Sequence, residues 1–166
     1  IKPLILPHRT FSGRLEFMLG KRHIVLMEAN IHSDDATVLW LPDEAVLLAG
    51  DTVEDCVTYV GDPQDLSVHL SELDRLAALH PRTVLPDHGS AEVIAGGGYT
   101  PAIIPATQAY IRWLLALKED PGRAALPLHA VISEELGKGT LHWFAPYEAI
   151  HQQNIARVLE CFGVRN

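Results

Sequence analysis

The chain has 166 residues and a formal charge of −8, with 48% of its residues apolar and 20% charged. This balance excludes a disordered chain, and the length is one domain's worth, enough to bury a core. No apolar run reaches the roughly 18 residues of a membrane span, the acid excess works against a phosphate backbone as partner, and two cysteines, Cys56 and Cys161, are too few for a disulfide framework.

The chain opens at Ile1 with no charged-then-apolar leader, which reads as a processed protein or a piece of a longer one. Strands are predicted at 14–19 and 23–27, flanking a Gly20-Lys21 turn. A second strand pair, 37–41 and 46–49, flanks Pro42-Asp43-Glu44 and is nearly continuously apolar. Leu66, Leu70, Leu73, Leu76 and Leu79 recur at three and four, so one apolar stripe predicts a helix over 66–79 that starts near Pro63 and Asp65 and stops at Pro81. A short strand at 83–85 follows. This strand–helix–strand alternation points to an α/β arrangement. Gly96-Gly97-Gly98 reads as a hinge or loop, because no Lys-Ser/Thr follows to make a phosphate cradle. Three further helices are predicted over 105–118, 127–136 with Gly137 as its cap, and 147–162.

Nine histidines make their spacing worth reading. His32 lies in the loop before a buried strand, Asp51 follows Gly50 at the end of the next, and His88 sits just after the short strand, in Pro86-Asp87-His88-Gly89. Strand ends are where open α/β folds place ligands. Imidazole and carboxylate suit a borderline divalent ion such as Zn²⁺, and the two oxygens of a carboxylate can each take one ion. Without C-x-x-C or H-x-x-x-H pairs, an exposed loop histidine and a turn aspartate remain the plain alternative.

Longer segments sharpen this. Ile31-His32-Ser33-Asp34-Asp35, leading through Leu39-Trp40-Leu41-Pro42 to Leu48-Ala49-Gly50-Asp51, resembles the metallo-β-lactamase-fold hydrolases. In that family a His-Ser/Thr loop leads to a strand ending Leu-Pro, and the next strand ends in Gly-Asp. The later Pro86-Asp87-His88-Gly89 is similar to the last ligand motif, and the helix over 66–79 fills the expected place between them. The resemblance covers about 11–94, and Tyr147, His151 and Asn154 look like the last helix of some members.

The resemblance implies an α/β fold: half of an αββα sandwich, with one mostly antiparallel sheet and helices on its outer face, the whole of 1–166 forming one domain. It implies His32 as a ligand of a first zinc site, Asp51 as a bridge, and His88 as a ligand of a second site. Iron or manganese accept the same set. It implies a hydrolase of a small ester, thioester, amide or lactone acting through a metal-bound hydroxide, with no nucleic acid and no membrane as partner. The His-x-His-x-Asp-His string that supplies the remaining ligands in the family does not occur, Ile31 stands where many members have Gly, and Asp34-Asp35 replaces a common Pro-Gly. The chain is therefore expected to represent the C-terminal half of the fold and to be inactive alone. The inner sheet face is expected to be covered by a homodimer partner or by the N-terminal half. The rival expectations are a non-catalytic half-domain that oligomerises as a scaffold or binding module, and an α/β domain without metal in which the three residues lie far apart.

Among the other residues, His69, His8 and His23 are expected at the surface or boundary, and His80 as a helix-end cation. Asp87 is a candidate to orient His88, and one of His129, His142 and His151 a candidate for a substrate pocket. Asp34 and Asp35 are read either as loop caps or, beside His32, as residues lining the metal cleft. Cys56 is expected to be a buried hydrophobe, Tyr59 packed near the pocket rim, and Trp113 and Trp143 core or helix contacts.

Overall fold

A computed structural model describes Pro3, Leu6 and residues 8–163. Five strands form one sheet in the order β1 (Arg14–Leu19), β2 (Arg22–Glu28), β3 (Thr37–Leu41), β4 (Val46–Gly50) and β5 (Thr83–Pro86). The first four pair antiparallel, each with its neighbour in sequence. β5 pairs parallel with β4, which requires a crossover, and α1 (Leu66–Ala77) supplies it. This is the mostly antiparallel α/β sheet expected from the sequence.

Side chains alternate across the sheet, and its two faces differ. Val25, Met27, Val38, Trp40, Leu47, Ala49 and Val84 are buried in one core with Leu66, Leu73 and Leu76 of α1 and with Ile103, Ile104, Ile111 and Leu114 of α3 (Ile103–Leu115). On the opposite face Leu15, Leu26, Leu39, Leu48 and Leu85 stand in register, one leucine per strand. Phe17 opposite Ile24 and Leu41 opposite Val46 widen this apolar band. Leu48 and Phe17 are exposed, and Leu26, Leu39 and Leu85 only half-buried.

The C-terminal region departs from the sequence expectations in detail. The helix predicted over 127–136 is two short ones, α4 (Leu128–Val131) and α5 (Ser133–Lys138), because Ile132 leaves helical dihedrals at φ −102° and ψ 12°. Gly137 lies inside α5; the left-handed cap is Gly139, at φ 71°. α2 (Ala91–Ala95), unforeseen in the sequence, is capped by the Ser90 hydroxyl, which accepts from the Val93 N–H. α3 begins two residues before Pro105, which its first turn tolerates. α6 (Tyr147–Cys161) closes the fold. No helix among the described residues is long and apolar enough to cross a membrane.

The glycine run forms the turn after α2, the loop of the two expected readings. A Cβ at Gly98 would lie 2.8 Å from side-chain carbons of Leu85 and Thr83, and Val84 and Tyr99 exchange two backbone hydrogen bonds beside it. Close backbone approach to β5, together with a φ of 106°, demands glycine at position 98. His69 also differs from expectation: it is buried on α1 rather than solvated.

Candidate functional site

Parallel pairing puts the C-terminal ends of β4 and β5 side by side, Gly50 opposite Pro86. Gly50, at φ 57°, turns the chain as it leaves the strand, and its carbonyl accepts the Asp87 N–H at 3.1 Å. Asp51 and His88 thereby leave the sheet at the same edge. The loop from β2 to β3 brings His32 to that edge. It is pinned by a hydrogen bond from Ala29 N–H to the Ala36 carbonyl, and a bridge between Ile31 and Ser33 forces His32 into a tight turn at φ 71°. Non-glycine residues with positive φ concentrate at functional positions.

The three side chains meet through Asp51. His88 Nε2 stands 3.3 Å from Asp51 Oδ1, and His32 Nε2 stands 4.0 Å from Asp51 Oδ2. The rival expectation that they lie far apart does not hold. Ligands of one tetrahedral zinc, with bonds near 2 Å, lie about 3.3 Å from one another. His88 and Asp51 have that spacing, while His32 and Asp51 stand wider. No set of three His, Cys, Asp or Glu side chains among the described residues converges on a single metal position. The arrangement is two pairs sharing a carboxylate, one oxygen to each histidine, rather than a closed trio. Asp51 Oδ1 and His32 Nδ1 are buried without a hydrogen-bond partner. Buried polar atoms are normally satisfied, so an orphaned carboxylate lone pair between two imidazoles fits a cation.

A cavity of about 430 Å³ opens over these residues, walled by Glu54, Tyr59, Tyr147 and Ile150. Glu54 follows β4 and is nearly buried. It accepts from the Tyr147 hydroxyl at 3.2 Å and from the Tyr59 N–H. Burial pushes its carboxyl above the ordinary range. Burial first, then the Glu54 charge, pushes the Tyr147 phenol up as well. Tyr59 lies beside the His32 ring, with the Arg157 guanidinium 4.8 Å above its own ring centre. Asp87 is exposed, and no hydrogen bond links its side chain to His88, so the expected orienting role is not formed.

Glu54 and Asp55 belong to no motif legible in the sequence. Asp55 has a fully buried carboxyl that accepts from the His142 N–H, from the His142 ring at 2.9 Å and from the Tyr99 hydroxyl at 2.8 Å. Cys56 is buried as expected, and its thiol donates to the His142 carbonyl. Trp143, expected as a core or helix contact, is 43% exposed and packs edge-on against His129 of α4.

The sequence matches the metallo-beta-lactamase superfamily over residues 2–88. The chain belongs to the metallo-beta-lactamase superfamily. Among solved structures, this superfamily member resembles a metallo-beta-lactamase family protein from Thermus thermophilus, at 20% identity and a TM-score of 0.60 over 98% of this chain and 52% of that one. A beta-lactamase domain protein from Burkholderia ambifaria aligns at 19% identity and a TM-score of 0.56, over 97% and 49% of the two chains. A metallo-beta-lactamase from Pontibacter korlensis aligns at 22% and 0.52, over 64% and 49%. Such identities show the metallo-beta-lactamase fold. The chain spans about half the length of these structures. No match to a curated protein was found.

Proposed function

We propose that this chain supplies part of the metal centre of a zinc-dependent hydrolase acting on a small ester, thioester, amide or lactone. The observation that supports this reading is the Asp51 carboxyl set between two imidazoles, with Oδ1 toward His88 and Oδ2 toward His32. In this reading His32 holds one ion, His88 a second, and Asp51 both. Zinc suits the donor set, and iron or manganese accept it too. A divalent ion at this position supplies Lewis-acid polarisation of a carbonyl and of water.

The remaining work falls to the chain's own side chains. Tyr147 and Glu54 form a hydrogen-bonded wall, and Pro146 and Ile150 present apolar surface to the same cavity. That surface keeps water from the acyl portion of a bound substrate. Glu54, with its proton affinity raised by burial, takes up a proton more readily than an exposed glutamate does, while the hydrogen bond from Tyr147 works the other way. His32 and His88 contribute one imidazole each to separate ions, so turnover belongs to a protein in which further ligands complete both sites.

The test is metal content per chain by elemental analysis after equilibration with trace zinc, beside His88→Ala. One or more zinc ions per chain, reduced in the variant, is the expected result. No zinc in either protein overturns the reading. It would leave the second one, a non-catalytic half-domain that assembles through its apolar sheet face, which the in-register leucine row favours.

A further inference from the structure

We infer that His142, held by the buried Asp55 carboxylate, is the polar anchor of a second, aromatic-walled subsite beside the candidate metal centre, and that it accepts a hydrogen bond from a phenol-like or amide N–H group of the substrate. The side chain is fixed at one edge and free at the other. Asp55 is only 1% exposed in its side chain, and its carboxylate offers acceptors alone, so His142 Nδ1 carries the proton it donates at 2.9 Å. The His142 N–H donates to both Asp55 oxygens at 2.8 and 3.0 Å, the Tyr99 hydroxyl reinforces Oδ2, and the Cys56 thiol holds the His142 carbonyl. Four contacts thus set the residue's position. Nε2 has no hydrogen-bond partner among the described residues, although the side chain is 41% exposed. In the neutral ring Nε2 is an acceptor. A residue needed only to tie its loop to Asp55 would require the backbone bonds and not a solvent-facing imidazole.

The surroundings specify the rest of the ligand. His142 lines a cavity of about 400 Å³ whose other walls include Trp143, Phe144 and Tyr147. Trp143 and Phe144 are among the most exposed large apolar side chains of the protein. Trp143 is nonetheless held edge-on against the His129 ring at 5.1 Å, and Phe144 lies 6.0 Å from Tyr147. Held aromatic faces in contact with water favour a flat apolar group. Among the described residues no lysine or arginine lines this cavity, and the buried Asp55 carboxyl is one of its lining groups, which disfavours an anionic ligand. His88 and Tyr147 line both this cavity and the one over Asp51. A substrate with its scissile bond at the metal centre can therefore lay an aromatic arm against Trp143 and Phe144. That last step rests on the proposed hydrolase reading; the subsite itself does not.

The experiment uses the full chain treated with EDTA, so that it is independent of metal. The probes are p-cresol and 4-methylanisole, which share shape but differ in the donor hydroxyl. Nitrogen-15 spectra of the imidazoles report the tautomer, and the Trp143 indole signal reports occupancy. Expected are a proton on Nδ1 of His142, a shift of its Nε2 resonance with p-cresol, and p-cresol bound about two- to tenfold more tightly than 4-methylanisole, as one hydrogen bond allows. His142→Phe should abolish that preference, and Trp143→Ala, at an exposed position, should weaken both probes. Equal binding of the two probes, unmoved His142 and Trp143 signals, or a proton on Nε2 instead of Nδ1 would each overturn the subsite. A parallel zinc titration separates the two readings. Zinc binding without probe discrimination defeats the subsite alone, and probe discrimination without zinc binding defeats the metal centre alone.

Discussion

Tyr110 of α3 and His151 of α6 meet hydroxyl to ring at 3.0 Å, both buried. His151 Nε2 lies 3.1 Å from the Leu126 carbonyl, which can only accept, so Nε2 carries the proton and Nδ1 accepts from Tyr110. The neutral ring is therefore fully satisfied. Burial pushes the His151 pKa below its ordinary value, and burial does the same to His69. In the unfolded chain both protonate near about 6.5. Between that value and their lower folded values, the unfolded state binds more protons, so stability falls as pH drops below about 6.5. Each histidine contributes at most about 1.4 kcal/mol per pH unit. Glu54 acts in the opposite sense, since its folded carboxyl is the one pushed up and takes a proton first as pH falls. With two histidines against one carboxyl, the urea midpoint should be lower at pH 5.5 than at pH 7.5, and the difference smaller in His69→Gln. A midpoint that rises on acidification would contradict the assignment.

Asn154 joins that pair to the loop below the cleft. Its amide donates to the Thr58 carbonyl and to the Tyr110 hydroxyl, and its carbonyl accepts the Val60 N–H at 2.9 Å, all in buried surroundings. Asn154→Ala leaves a buried N–H and a buried carbonyl without partners. The expected cost is about 2–6 kcal/mol, since each of the two orphaned groups costs roughly 1–3. Gln153→Ala, one residue away and exposed, should stay within about 0.5 kcal/mol. Denaturant unfolding of both variants reads the difference; equal effects would show that Asn154 packs rather than bonds.

The leucine row across the sheet makes a prediction about assembly. Leu15, Leu26, Leu39, Leu48 and Leu85 form one apolar band left half-buried to exposed, with the Gly98 segment against Leu85 at one end. Large apolar patches seldom remain in water, and an isologous two-fold contact is the simplest cover for a chain studied alone. Light scattering should therefore give twice the mass of one chain. Leu39→Asp, at the centre of the row, should give a folded monomer by the same measurement and by circular dichroism. A wild-type monomer at every concentration would sink this expectation.

What the sequence made legible follows from range. The strands β1 to β4 and the helix α1 announce themselves because alternation in the first strand pair, continuous apolar runs in the second and the leucine stripe are local patterns. The pairing of Asp51 with His88 was reachable because a strand, a helix and a parallel strand return the chain to the same sheet edge. Asp55 and His142 were not, because 87 residues separate them and neither sits in a motif that names the other. The burial of His69 is not legible for a related reason. It lies beside the leucine stripe, and only the packing of α1 against its neighbours decides whether that flank is wet. Trp143 makes the helix contact, to His129 of α4, while its exposure depends on the loop that Asp55 holds.

Gly97 and Gly98 offer a sharper test, because the two neighbours share a backbone region and differ in surroundings. Both have φ values that L side chains rarely adopt, 117° and 106°. A methyl at Gly97 meets open space, whereas one at Gly98 falls within 3 Å of Leu85, Thr83 and the Val84 carbonyl. Gly97→Ala should then cost only backbone strain, about 1–2 kcal/mol. Gly98→Ala adds steric overlap with β5, which cannot retreat without disturbing its pairing to β4, and should cost at least about 2 kcal/mol more. Since β5 carries His88 just beyond its end, the variant should also loosen zinc held with Asp51, while Gly97→Ala leaves zinc affinity unchanged. Equal stability losses in the two variants would restore the hinge reading of this glycine run.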